Sequence, residues 1–190
     1  VVSTSALDFN CLVKTEFFSV LGTRRVPVCG VSNCDVYNGQ SSTKARNAKI
    51  RPIHKEDIKV VTFELCQDFN FIPKGLLEDF PNFTGLEFYK TKISHLKGDE
   101  LNEYIELVYL TLFGNQISHI PGDFFANNKK LKYVSFNTNQ IKSIGVEILD
   151  SISKMKYVFF QNNICINLNS ISDRQDLKLL VRTLRANCVI

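Results

Sequence analysis

Six cysteines, three histidines and one Asn-x-Thr triplet are the residues of this 190-residue chain best suited to bond-making chemistry. The cysteines stand at 11, 29, 34, 66, 165 and 188, and none forms the CxxC spacing that would hold zinc. Four crowd the N-terminal third and two lie near the C-terminal end. This distribution predicts disulfides that staple the two ends in an oxidising compartment, around a middle that holds together without them. Cys165 is expected to pair with Cys188, since no other cysteine lies near either. The connectivity of Cys11, Cys29, Cys34 and Cys66 does not follow from sequence; Cys11–Cys29 with Cys34–Cys66 is the unnested arrangement. Asn82-Phe83-Thr84 is an N-glycosylation sequon with a non-proline middle residue, as suits a secreted chain. His95 and His119 lie 24 residues apart, but no carboxylate or thiol recurs beside them, and a metal site is not expected; His54 stands elsewhere. With no GxSxG, GxGxxG or Walker-type loop, neither a catalytic residue nor a cofactor is expected, and the chain reads as a binding protein rather than an enzyme.

The net charge of +4 is spread over Arg24-Arg25, the Lys44 to Lys55 region and scattered lysines. A nucleic-acid surface would show a denser stripe, so no nucleic-acid partner is expected. Lys129, Lys130, Lys132, Lys154 and Lys156 recur on one flank, which reads as a solvated face. No run of about 18 to 20 uncharged apolar residues exists to span a membrane. The Val-Val-Ser-Thr-Ser start lacks the basic and apolar regions of a signal peptide, so the sequence reads as mature protein.

The elements that position these residues come from a repeat. Leu107, Leu110, Leu112, Asn115, Ile117 and Ile120 are followed 24 residues later by Leu131, Val134, Phe136, Asn139, Ile141 and Ile144. Upstream, Phe83, Leu86, Phe88, Ile93 and Leu96 fill the same slots with Thr91 in place of asparagine; downstream, Met155, Val158, Phe160, Asn163 and Cys165 do so. A degenerate first copy runs through Ile58, Val61, Phe63, Cys66, Phe69 and Ile72. Repeats therefore start at 58, 83, 107, 131 and 155 and occupy 58–168. His95 and His119 share one repeat slot. Alternation along a short strand sends Leu110 and Leu112 into the core and Tyr109, Thr111 and Phe113 out. The asparagine column falls where the chain leaves the strand and buried backbone groups need partners. Leu77, Leu101, Phe125 and Leu149, six residues before each next start, are expected to form a spine under the convex side.

The pattern LxxLxLxxNxIxxI in five copies resembles the extracellular leucine-rich repeat family. The resemblance implies an α/β fold, a short horseshoe-shaped solenoid with a parallel concave sheet and disulfide-bonded caps at both ends. Since one coil cannot bury its apolar face alone, the terminal coils need covers. Residues 1–57, with three cysteines and the turn-rich Asn38-Gly-Gln-Ser-Ser stretch, read as an N-terminal cap built on a small hairpin whose edge extends the sheet. Residues 169–190 form the C-terminal cap; Leu177, Leu180, Val181 and Leu184 have helical spacing within Asp173 to Ala186. The step from Asn163 to Cys165 and the helix after it resemble the C-terminal caps of small secreted insect leucine-rich repeat proteins, including mosquito immune ones. That likeness implies a dipteran-type secreted protein of innate immunity or extracellular signalling.

Outward strand positions stack between coils about 4.8 Å apart, so the variable residues form three columns. The first is Val60, Gly85, Tyr109, Tyr133, Tyr157; the second Thr62, Glu87, Thr111, Ser135, Phe159; the third Glu64, Tyr89, Phe113, Asn137, Gln161. Six aromatics, Tyr89, Tyr109, Phe113, Tyr133, Tyr157 and Phe159, thus converge on a face that the repeat does not require to be apolar. Tyrosine combines large contact area with a polar tip, which suits an interface with an extracellular protein. The competing expectation is a cross-strand ladder that stabilises the sheet. Self-association through the same face, or through the edge of the N-terminal cap, is the alternative function, and would make the chain a homodimer.

Overall fold

The computed structural model describes residues 12–18, 20–22, 25–32, 54–66, 70–171 and 173–190. Cys11, Cys34, Phe69 and the Asn38–Ser42 stretch lie outside them. In chain order the strands are β1 (Leu12–Phe17), β2 (Arg25–Ser32), β3 (Val60–Glu64), β4 (Gly85–Tyr89), β5 (Tyr109–Thr111), β6 (His119–Ile120), β7 (Tyr133–Ser135), β8 (Ser143–Ile144), β9 (Tyr157–Phe159) and β10 (Asn169–Ile171). The α-helices are α1 (Leu76–Asp79), α2 (Ile148–Ile152) and α3 (Arg174–Asn187). One sheet runs β1-β2-β3-β4-β5-β7-β9-β10, and β6 pairs with β8 in a second, short one. Pairing from β2 through β9 is parallel, with Val60, Gly85, Tyr109, Tyr133 and Tyr157 in one register. The chain is a parallel-sheet solenoid whose coils follow the repeat.

The inward residues explain the pairing. Leu86, Phe88, Leu110, Leu112, Val134, Phe136, Val158 and Phe160 have no exposed surface. Inward rings pack along the solenoid, Phe63 stacked on Phe88 at 5.1 Å and Phe136 tilted against Phe160 at 5.2 Å. On the far side Leu101, Phe125 and Leu149 are buried as the spine requires. The one-turn helix α1 rotates successive side chains by about 100°. It therefore points Leu76 inward and leaves Leu77 half-buried, so the spine begins one residue earlier than its spacing predicts.

The asparagine column closes the turns after the strands. Asn139 Oδ1 accepts from Ile117 N at 3.1 Å, while its Nδ2 donates to Leu112 O and Phe136 O at 2.8 and 3.0 Å. Asn163 does the same with Ile141 N, Phe136 O and Phe160 O. Asn115 Oδ1 accepts from Thr91 N and the Thr91 hydroxyl, so threonine serves at the first rung.

Both ends are covered. The hairpin β1–β2 is antiparallel and joins β3 through β2, extending the sheet. Cys29 and Cys66 are both disulfide-bonded. At the other end Asp173 caps α3 by accepting from Gln175 N at 2.7 Å, and Leu177, Leu180 and Leu184 face the last coil. Cys165 is bonded to Cys188. The strand β10, which has no repeat signature, runs antiparallel to β9, and Ile144 N donates to Cys188 O at 2.8 Å.

Candidate binding face

The register lines up the outward columns with β2 included, so Val28 and Gly30 head the first and second. From β1, Lys14 lies opposite Val28 on the same side. Three of the middle column's residues are small hydroxyl side chains: Thr62, Thr111 and Ser135 are 7%, 8% and 4% exposed and form a floor. Rings rise on both sides of it. Tyr109 and Tyr133 stack at 4.4 Å in the first column, and Tyr89 and Phe113 at 5.0 Å, nearly parallel, in the third. Phe159 leans from the second column to 5.0 Å from Tyr133. Together they enclose a cleft of ≈ 370 Å³.

Five of the six aromatics named from sequence line this cleft; Tyr157 does not. Its ring stands 6.1 Å from Tyr133 and lies under the Lys156 ammonium at 5.0 Å. All six rings are half-buried rather than fully exposed. The contacts among them are those of a stabilising ladder, yet each ring keeps surface open to solvent.

Glu87 occupies the second column amid the rings. Its Oε1 accepts from the Tyr109 hydroxyl at 2.7 Å and its Oε2 from the Thr62 hydroxyl at 2.8 Å. Burial pushes its carboxyl above the ordinary value, an effect the two hydroxyl bonds only partly offset. Burial and the neighbouring Glu87 charge raise the Tyr109 and Tyr133 phenols as well. Glu64 and Lys14 also line the cleft, and Lys14 is tied to Glu16 at 2.6 Å.

A third contributor comes from the cap. A Cβ at Gly85 would lie 2.9 Å from Val60 Cγ2 and 3.5 Å from Tyr109 Cδ1, so only glycine leaves room there. Over that gap Phe18 packs with Val28 and Val60, its ring edge-on to Tyr109 at 5.1 Å. The columns written from sequence held Glu87 but gave it no role, although a carboxylate between Thr62 and Thr111 was the available signal. Phe18 lies outside the repeat frame, which is why nothing in the spacing marked it.

The remaining expected sites lie elsewhere. Asn82 is exposed just before β4, with its Nδ2 donating to Glu56 O at 3.0 Å, and it does not line the cleft. His95 and His119 bond to Ser94 and Ser143 hydroxyls at 2.8 and 2.9 Å. Among the described residues, no group of three or more His, Cys, Asp or Glu side chains is placed to hold a metal ion.

No protein-family model and no curated protein matches the chain. Among solved structures it is similar to a chain of the Toll–Spätzle complex of Drosophila in its glycosylated form, a structure described as a molecular hub in development and innate immunity. The likeness is 21% in sequence identity with a TM-score of 0.46, and it covers 58% of this chain and 15% of that one.

Proposed function

We propose that this chain is a secreted recognition protein that engages an extracellular protein partner through its concave aromatic cleft. The observation that carries the reading is the cleft itself: five half-buried rings standing over a floor of small hydroxyls. The repeat needs only the inward positions for its core, and open aromatic surface of this kind is what anchors protein interfaces. Bonded cysteines at both ends suit an oxidising compartment, and among the described residues no helix is long and apolar enough to cross a membrane. Innate immunity or extracellular signalling is the setting implied by the resemblance of the repeats and C-terminal cap. A glycan on Asn82 would leave the cleft open.

The test is affinity capture from extracellular fluid with the wild type beside Tyr133→Ala and Phe159→Ala. Both variants are expected to weaken the captured partner's binding more than tenfold while retaining a cooperative melt. Unchanged affinity in two folded variants would remove the cleft from the interface.

A second reading is self-association through the cap edge. Among the described residues no strand pairs with the outer edge of β1, and Leu12 and Phe17 on that strand are 67% and 58% exposed. Sedimentation of the wild type and of a Leu12→Lys, Phe17→Lys variant separates the readings, since a dimer lost in that variant favours the edge.

A further inference from the structure

The cleft is not a neutral aromatic slot. Two carboxylates, Glu87 and Glu64, line it beside one cation, Lys14, whose ammonium is already held at 2.6 Å by Glu16. This acidic end belongs to a chain whose net charge is +4. The two hydroxyls that bond Glu87 use one acceptor site on each carboxylate oxygen. An ionised carboxylate has roughly two such sites per oxygen, so each retains capacity for a further donor. The face of an aromatic ring attracts cations. That attraction already operates on this face, where the Lys90 ammonium sits 5.0 Å from the centroid of Tyr89, a cleft residue, and Lys156 lies as far from Tyr157 outside the cleft.

We infer that the cleft seats a guanidinium, the arginine side chain of a loop on the partner protein, with Glu87 as its anion and Tyr89, Phe113, Tyr109 and Tyr133 as its walls. This rests on the protein-binding reading above and names the chemistry of the residue that enters. An apolar side chain would strip water from Glu87 and return nothing to it. An anionic group would meet two carboxylates. A lysine would satisfy the charge but not the planar shape: guanidinium alone stacks flat against a ring while presenting paired N–H groups to a carboxylate. Burial, which makes ionised Glu87 costly in the empty cleft, makes a cation beside it more favourable. The Thr62, Thr111 and Ser135 floor leaves room above it for the long arginine stem.

The chain supplies its own reporter. It has no tryptophan, and Tyr89, Tyr109, Tyr133 and Tyr157 are four of its six tyrosines, so intrinsic emission is weighted towards this face. The probes are the peptide acetyl-Gly-Arg-Gly-amide and its citrulline counterpart, which keeps the shape and loses the charge. The arginine peptide is expected to give a saturable change, with the citrulline peptide at least about tenfold weaker, and Glu87→Gln is expected to erase that preference. Glu64→Gln, at a less enclosed position, is expected to lower arginine affinity several-fold and serves as the deciding variant if Glu87→Gln does not fold. Equal response to the two peptides, no saturable response to arginine at tens of millimolar, arginine preference intact in a folded Glu87→Gln, or, where that variant does not fold, arginine affinity unchanged in Glu64→Gln would overturn the proposal. If the arginine peptide fails while Tyr133→Ala still abolishes capture of the protein partner, the guanidinium site falls and the broader reading stands.

Discussion

Asn139 satisfies backbone groups of two coils at once, taking Ile117 N and giving to Leu112 O and Phe136 O. Alanine there leaves a buried N–H and buried carbonyls without partners. Asn139→Ala is therefore expected to lower the unfolding free energy by about 2 to 4 kcal/mol, read from urea titration. Glu87 makes the opposite kind of demand. Burial holds its folded carboxyl above the ordinary 4.5, so the folded state binds a proton where the unfolded chain is still ionised. Its favourable contribution is full below that ordinary value and is lost as pH rises through the raised one. Acidification into this window should thus raise stability through Glu87. Glu100, raised by burial too, adds to the same trend in the whole protein. The pH-dependent difference between the wild type and Glu87→Gln isolates the Glu87 share, and equal pH slopes would contradict it.

At the scale of the coil, one backbone feature recurs with the repeat. Leu65, Lys90, Gly114, Thr138 and Asn162, each immediately after a third-column residue, all take positive φ between 53° and 72°. The left-handed turn is what swings the chain from the strand into the next segment, and only Gly114 adopts it freely. A non-glycine residue there costs about 1 to 2 kcal/mol, against about 0.5 to 1 for the extra chain freedom of glycine. Thr138→Gly is expected to stabilise by up to about 1 kcal/mol and raise the melting temperature by a few degrees. Its hydroxyl gives up only a 3.5 Å contact from Asn162. This column also marks where the sequence stops being readable. Inward slots and the asparagine rungs recur in residue type, so their period exposes them, and the apolar spacing of α3 does likewise. Leucine, lysine and threonine in a left-handed position carry no common type. Strand β10 is similarly hidden: Asn169, Ser170 and Ile171 lack the repeat pattern, and their antiparallel direction depends on the chain doubling back after the last coil. The aromatic face was readable as a list of outward positions. Its division into two walls over a hydroxyl floor was not, because it depends on where each ring leans.

A solenoid of this kind contacts itself only between neighbouring coils, so the whole molecule depends on its two end covers. The C-terminal cover is tied to the last two coils at three points: the Cys165–Cys188 bond and the β9–β10 pairing hold it to the last, and the Ile144 to Cys188 backbone bond to the one before. Replacing both cysteines by serine is expected to cost about 3 kcal/mol for a loop of this size. Amide hydrogen exchange should then quicken first in α3 and β10 and only later in β5 and β7; uniform acceleration along the chain would mean the coils unfold as one. The opposite cover behaves differently, because at Gly85 it does not stop at the end of the stack. Phe18 reaches over that gap to lean on Tyr109, so one wall of the cleft is braced by the cap. Anyone transplanting these coils onto a foreign N-terminal module, to borrow the face as a ready-made receptor, would carry across the repeats and leave one of its supports behind.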